Sequence, residues 1–190
     1  KARGTHSDEH SNSTTRPKDL TPVSNRPAGI EPVNRPCIFC GSELAGKRAK
    51  EHVFPLWLQV EFGWDKMFIS PTHLSASGKV ISSRKHDLRS FVEGHVCANC
   101  NNGWMSRLEM TARPLIVGLV KGERDAFSLD HAEALVVARW TAKTAFCLHS
   151  ASNYRRIIEP GHFKHLMSEE LTLPPNSFVY AHSFKSARYC

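Results

Sequence analysis

No apolar run in these 190 residues approaches the roughly 18 that a membrane span needs, and the first thirty residues contain no apolar stretch of the kind a secretory leader carries. Neither export nor membrane residence is expected, which points to a reducing, cytoplasmic setting. Aromatic residues are few, 9% of the chain, and residues 1–35 have none at all. With prolines at 17, 22, 27 and 32, that opening stretch cannot offset its ordering entropy by burial, and a disordered, mildly basic arm is expected. No internal repeat is visible beyond two similar cysteine pairs. Acidic residues are in deficit, 18 Asp and Glu against 25 Lys and Arg, leaving a net charge of +7 that suits a polyanionic partner. Enough remains to build a core: 41% hydrophobic and 23% charged are ordinary globular proportions. The chain opens on Lys1 and stops at Cys190 within a strand-like run, so a piece of a longer protein is expected.

Cysteines stand at 37, 40, 97, 100, 147 and 190. Four of them form two Cys-x-x-Cys pairs, Cys37-Ile-Phe-Cys40 and Cys97-Ala-Asn-Cys100. Two intervening residues let both sulfurs of a tight turn face one ion, and two such turns complete a tetrahedral site. In a reducing compartment this spacing reads as structural Zn²⁺ and not as disulfides. Gly41 follows the first pair and supplies the backbone freedom of a knuckle-like bend. Cys147 falls in an apolar helical stretch and is expected as a core thiol.

The pattern between and after the pairs predicts a mixed α+β chain. Residues 66–70 and 79–82 read as a hairpin turning at Ser75-Ala76-Ser77-Gly78, and Ser90 to Val96 as the strand that delivers the second pair. From Asn101 the period becomes helical, with Trp104 and Leu108 on one face and Pro114 expected to end or kink the helix. The strongest helix is predicted over 130–149, opened by Asp130 and Glu133 in a capping box. Arg139 and Lys143, four apart on it, are expected on a solvated face. A short helix near 161–168 and a strand near 177–184 would close the chain. The expected organisation is an arm over 1–35, a zinc-centred domain over 36–113 and a mainly helical extension over 114–190.

Three features bear on chemistry together: the two cysteine pairs, the Glu51-His52-x-x-Pro55 step between them, and Asn101 directly after the last ligand. The combination resembles the HNH, or ββα-metal, endonucleases, especially their zinc-containing branch similar to the recombination endonuclease VII type of resolvase. It covers about residues 37–112. The resemblance implies a treble-clef ββα core around a zinc held by Cys37, Cys40, Cys97 and Cys100. It implies His52 as general base, with Glu51 and Asn101 as ligands of a catalytic Mg²⁺ or Mn²⁺; Asn102 is an alternative to Asn101, and His95 an accessory group. The implied activity is hydrolysis of phosphodiester bonds in duplex or branched DNA. A neutral imidazole can take a proton from water near neutral pH, and hard oxygens suit a Mg²⁺-like ion. This chain has Glu where the family usually has Asp, and no Asn between His52 and Asn99 to match the middle residue of the HNH name. Lys79, Arg84, Lys85 and Arg89 form the densest basic cluster and are the candidate DNA contacts. The alternative is a zinc-stabilised nucleic-acid-binding module whose nuclease site is degenerate. Oligomeric state is left open.

Overall fold

A ribbon of two strands, strung between the two cysteine pairs, organises the chain. The computed structural model describes residues 36–44, 48–152, 157–168 and 172–181. The arm expected over 1–35, and Cys190, lie outside them. In chain order the elements are β1 (Arg48–His52), α1 (Leu56–Glu61), β2 (Phe68–Ile69), β3 (Thr72–Leu74), β4 (Val80–Ser83), β5 (His86–Asp87), β6 (Val92–Cys97), α2 (Ala98–Cys100), α3 (Ser106–Lys121), α4 (His131–Ala151) and α5 (Pro160–Met167). β1 and β6 pair antiparallel, Arg48 opposite Cys97 at one end and His52 opposite Val92 at the other, with an irregularity between Ala49 and Glu51.

Residues 53–91 leave and rejoin this ribbon. They begin with α1 and continue into two small antiparallel pairs, β2 with β5 and β3 with β4. The turn over 75–78 is where the sequence predicted it, but Thr72–Leu74, and not residues 66–70, partners Val80–Ser83. Strands of two to four residues carry too little alternation for their partners to be read from sequence. This excursion leaves Met67, Phe68, Leu74, Val80 and Ile81 exposed.

After β6 the chain turns through α2 and a π-type stretch over Asn101–Met105, broken at Gly103, before α3 begins. Pro114 does not end α3, which continues to Lys121 and stops at Gly122 in the left-handed conformation. The proline is exposed, and Met110, whose carbonyl loses its partner to the missing N–H, is on the solvent side as well. The expected boundary between 113 and 114 therefore falls inside a helix.

α4 begins as predicted. Asp130 Oδ1 accepts from the Glu133 amide at 2.8 Å, and Glu133 Oε2 accepts from the Asp130 amide at 3.2 Å. Its packing corrects an expectation: Arg139 and Lys143 are not solvated but buried, at 6% and 0% exposure. α4 lies between two apolar clusters, so no broad polar face is left to it. One cluster joins Phe39, Val53, Val96 and Met105 to Phe146, Cys147, Phe163 and Leu166. The other joins Leu58, Ala112 and Ile116 to Trp140. The stretches 36–113 and 114–190 thus share a core. Cys147 is fully buried within it, as expected of a core thiol. The segment from Ser177 to Ala181 forms no strand, and the remainder of the predicted strand lies outside the described residues.

Candidate functional site

The first cysteine pair occupies a turn that Gly41, at φ +74°, closes. The Gly41 amide donates to the Cys37 carbonyl at 2.9 Å, and the Ile38 amide donates to the His95 carbonyl, fixing the turn to β6. The second pair sits where β6 becomes α2. The four Sγ atoms lie within 4.8 Å of one another, with Cys40 and Cys97 3.6 Å apart. Tetrahedral zinc with bonds of about 2.3 Å needs sulfurs about 3.8 Å apart, so the four cysteines could hold a zinc ion after side-chain adjustments of about an ångström. None of the four is in a disulfide. Their acidities differ. Burial pushes the Cys37 and Cys100 thiols up. At Cys40 burial acts the same way, but Ser42 and the neighbouring thiols outweigh it and bring the group down to about 6.

At the other end of the ribbon the charge is carboxylate. Glu51 stands opposite Glu93 across the strands, which places both on one face. Lys143 reaches this region from α4: its Nζ donates to Glu51 Oε1 at 2.8 Å and to Glu109 Oε1 at 2.6 Å. The Trp57 indole N–H donates to Glu109 Oε2 at 3.2 Å. Burial raises the Glu51 carboxyl against the pull of Lys143. Desolvation opposes the Lys143 ammonium, and the two carboxylates more than offset it, so its pKa is raised and it stays charged. Two acids held within 3 Å of one buried cation form a cation-binding pair whose cation is built into the chain.

His52 follows Glu51 at the strand end. Partial burial lowers its pKa below the ordinary imidazole range, while the Glu109 charge and a hydrogen bond with the Arg89 backbone pull upward. The ring is therefore neutral at physiological pH. Asn101 lies in the π-type stretch; its Nδ2 donates to Asn102 Oδ1 at 3.1 Å, and its buried Oδ1 has no partner. Neither asparagine joins the Glu51–Lys143–Glu109 network. His95 is tied to Glu93, whose Oε1 accepts from the His95 amide at 2.7 Å and lies 2.8 Å from Nδ1. Glu93 is 1% exposed, and its Oε2 has no partner.

Of the four basic candidates, Lys79 and Arg84 are exposed and make no ion pair among the described residues. Lys85 Nζ stands 4.1 Å above the Phe68 ring. Arg89 is 3.2 Å from Asp65. All four belong to the excursion over 53–91.

Sequence reasoning missed Glu109, Lys143, Glu93 and Trp57. A signal existed for two of them. Glu109 continues the buried stripe of Ala112 and Ile116 at helical spacing, and Lys143 stands between Trp140 and Cys147 at the same spacing. A charge within a buried stripe needs a buried partner.

The chain matches no family model, no curated protein and no solved structure. Its reading rests on its own residues.

Proposed function

We propose that this chain is a metal-dependent endonuclease that hydrolyses DNA phosphodiester bonds on a ββα-metal, treble-clef core of the HNH kind. One observation carries the reading: Glu51 and Glu109 converge on a single cation position beside the neutral, half-accessible His52. The order of elements agrees with it, since two antiparallel strands are followed by helical segments that begin within the second cysteine pair, at Ala98, and run through the break at Gly103 into α3. Zinc at the four thiols would fix the start of those segments against β6.

In this reading His52 takes the proton of the attacking water as oxygen adds to phosphorus. The bond to the 3′-oxygen breaks, leaving 5′-phosphate and 3′-hydroxyl ends. Glu51 and Glu109 would hold Mg²⁺ or Mn²⁺, which would supply positive charge to the scissile phosphate and the leaving oxygen; the expected further ligand, Asn101 with Asn102 as its alternative, stands outside their hydrogen-bond network in this structure. Neighbouring residues of a regular strand face opposite ways. Glu51 and His52 pair in step with Glu93 and Val92, between the register shift and the bend at Val53, and what brings them to one site in this reading is Glu109, whose charge acts on both. Lys143 holds the two carboxylates together and has to yield one of them to a divalent ion. Lys79, Arg84, Lys85 and Arg89 would contact the DNA backbone, positioning the duplex without reading its sequence.

The same lysine favours a second reading. A resident ammonium between the two acids suits a zinc-stabilised nucleic-acid-binding module that no longer cleaves. Plasmid assays separate the two. Supercoiled DNA is incubated with the protein and Mg²⁺, Mn²⁺ or EDTA, alongside His52→Ala with its zinc content verified. Metal-dependent nicking that is lost in the variant is the expected result. Salt-sensitive binding without nicking would establish the module instead.

A further inference from the structure

The hairpin of β3 and β4 contributes no residue to either apolar cluster. No residue from Lys66 to Asp87 is buried, and neither strand pairs with a further one among the described residues. Its register slips at Leu74: His73 pairs with Ser82 and Leu74 with Val80, so Ile81 is the extra residue of β4. A bulge of this kind sets two residues of one strand against one of the other. Three apolar side chains therefore meet at one rung, Leu74 at 58%, Val80 at 55% and Ile81 at 61% exposure. A two-stranded hairpin with no covered face is marginal in water by itself, and this rung gains little from burial within the chain. The turn beyond it, Ser75-Ala76-Ser77-Gly78, is small and polar. Ser75 Oγ accepts from the Lys79 amide at 3.0 Å, and Gly78 closes the turn at φ +79°.

The charge around this rung indicates what covers it. From Lys66 to His86 the sequence holds four Lys or Arg and no Asp or Glu. Lys79 directly precedes Val80, and Arg84 and Lys85 directly follow β4. A second copy of this hairpin would bring the same positive charge against it, so a polyanion fits better than self-association. Between polyanions, the order of side chains along the hairpin decides. A bilayer takes up apolar groups first, whereas here the hydroxyl-bearing turn leads and the apolar rung follows. A groove of duplex DNA admits a two-stranded ribbon, its phosphates meet the cations, and an apolar side chain that reaches the bases can part a base step. We propose that the β3–β4 hairpin is a wedge for duplex DNA: Leu74, Val80 and Ile81 press into a base step and unstack it, while Lys79, Arg84 and Lys85 hold the flanking phosphates. The proposal rests on the reading of this chain as a DNA-binding protein and adds to it a source of sequence preference. Unstacking is easiest at flexible TA steps and hardest in stiff A-tracts, so the preference comes from deformability without base-edge hydrogen bonds.

The experiment uses short duplexes that carry 2-aminopurine, a base whose fluorescence rises when it is unstacked, either in a central TA step or within an A-tract. The full chain is added to saturation without Mg²⁺ or Mn²⁺, so that binding is read without cleavage. The TA duplex should brighten several-fold and bind about tenfold more tightly than the A-tract duplex. The triple variant Leu74→Ser, Val80→Thr, Ile81→Thr changes only exposed positions and keeps the fold; it should lose both the brightening and the preference. Lys79→Gln with Arg84→Gln should weaken both duplexes alike and lower the salt slope by about two. Unchanged fluorescence in a saturated complex, or a triple variant that behaves as the wild type, would overturn the proposal. So would tighter binding to phosphatidylserine vesicles than to either duplex, or a dimer that the triple variant abolishes. Any of these results alongside intact plasmid nicking sinks the wedge alone, whereas failure to bind any duplex sinks the nuclease reading with it.

Discussion

The two ends of the β1–β6 ribbon solve the same problem in opposite ways. At the Cys97 end, four sulfurs crowd within 4.8 Å, and an ion from outside is required to reconcile them once they ionise. At the Glu51 end, two carboxylates also face one another, but the chain brings its own cation, Lys143, 92 residues away in sequence. With zinc at the thiols, the first arrangement would couple folding to metal supply. The second couples it to the docking of α4, because the ammonium arrives only when that helix packs. A cluster's ligands alone do not say whether it awaits an ion; the neighbouring helix has to be inspected for a substitute.

The comparison can be broken at either end. The largest effect is expected at the thiols. Cys97→Ser, or strong chelation, should abolish cooperative thermal unfolding, since structural zinc contributes on the order of 10 kcal/mol in small domains. Metal analysis of freshly reduced protein should give one zinc per chain. A variant that melts like the wild type would show that the cluster does not hold the fold. Next comes Lys143→Met, which leaves Glu51 and Glu109 facing each other without a cation and should cost about 3–5 kcal/mol in denaturant unfolding. Adding Glu51→Gln and Glu109→Gln to that variant should restore much of the loss. If it does not, the destabilisation comes from packing and not from stranded charge.

A subtler test concerns His52. Burial holds its folded pKa below the ordinary imidazole value, so protonation is disfavoured and the base form persists as pH falls through that range. The acidic limb of cleavage should therefore lie below about pH 6.5. Glu109→Gln should move it lower still, because the Glu109 charge pulls the imidazole pKa upward. A limb that moves up in this variant would separate His52 from the carboxylate pair. The smallest effect is expected at the surface: Arg89→Gln breaks only an exposed contact with Asp65 and should change stability by less than about 0.5 kcal/mol. If Arg89 meets a phosphate, however, the salt dependence of DNA binding should flatten by about one unit of slope.

The thiol end was legible because its chemistry is local: Cys-x-x-Cys states its geometry in four residues, and Asp130 with Glu133 states a helix start as briefly. The carboxylate end was half legible. Glu51 and His52 drew notice through their setting between the cysteine pairs, but Lys143 read as a solvated residue because Arg139, four positions earlier, suggested a polar face. Both are in fact buried, one against carboxylates and one against carbonyls, and such partners are set by the tertiary path of α4. Pro114 misled for a related reason. Its cost is borne on an exposed side of α3, and the apolar contacts of Ala112, Leu115 and Ile116 keep the helix running through it. Of the four short strands of the excursion, β2 and β4 overlap the predicted segments 66–70 and 79–82, whereas β3 and β5, of three and two residues, were not expected, and strands so short carry too little alternation to fix a partner.

Residues 53–91 leave the ribbon at His52 and return opposite it at Val92. The entropy of closing a loop rises only logarithmically with its length, about 0.6 kcal/mol for each doubling. Because the strand pairing is complete on either side, material added at the exposed turn over Ser75–Gly78 would leave the register of β1 and β6 untouched. The excursion is thus the part of this chain where a longer or differently charged insert can be carried at low thermodynamic cost, while both ends of the ribbon stay as they are.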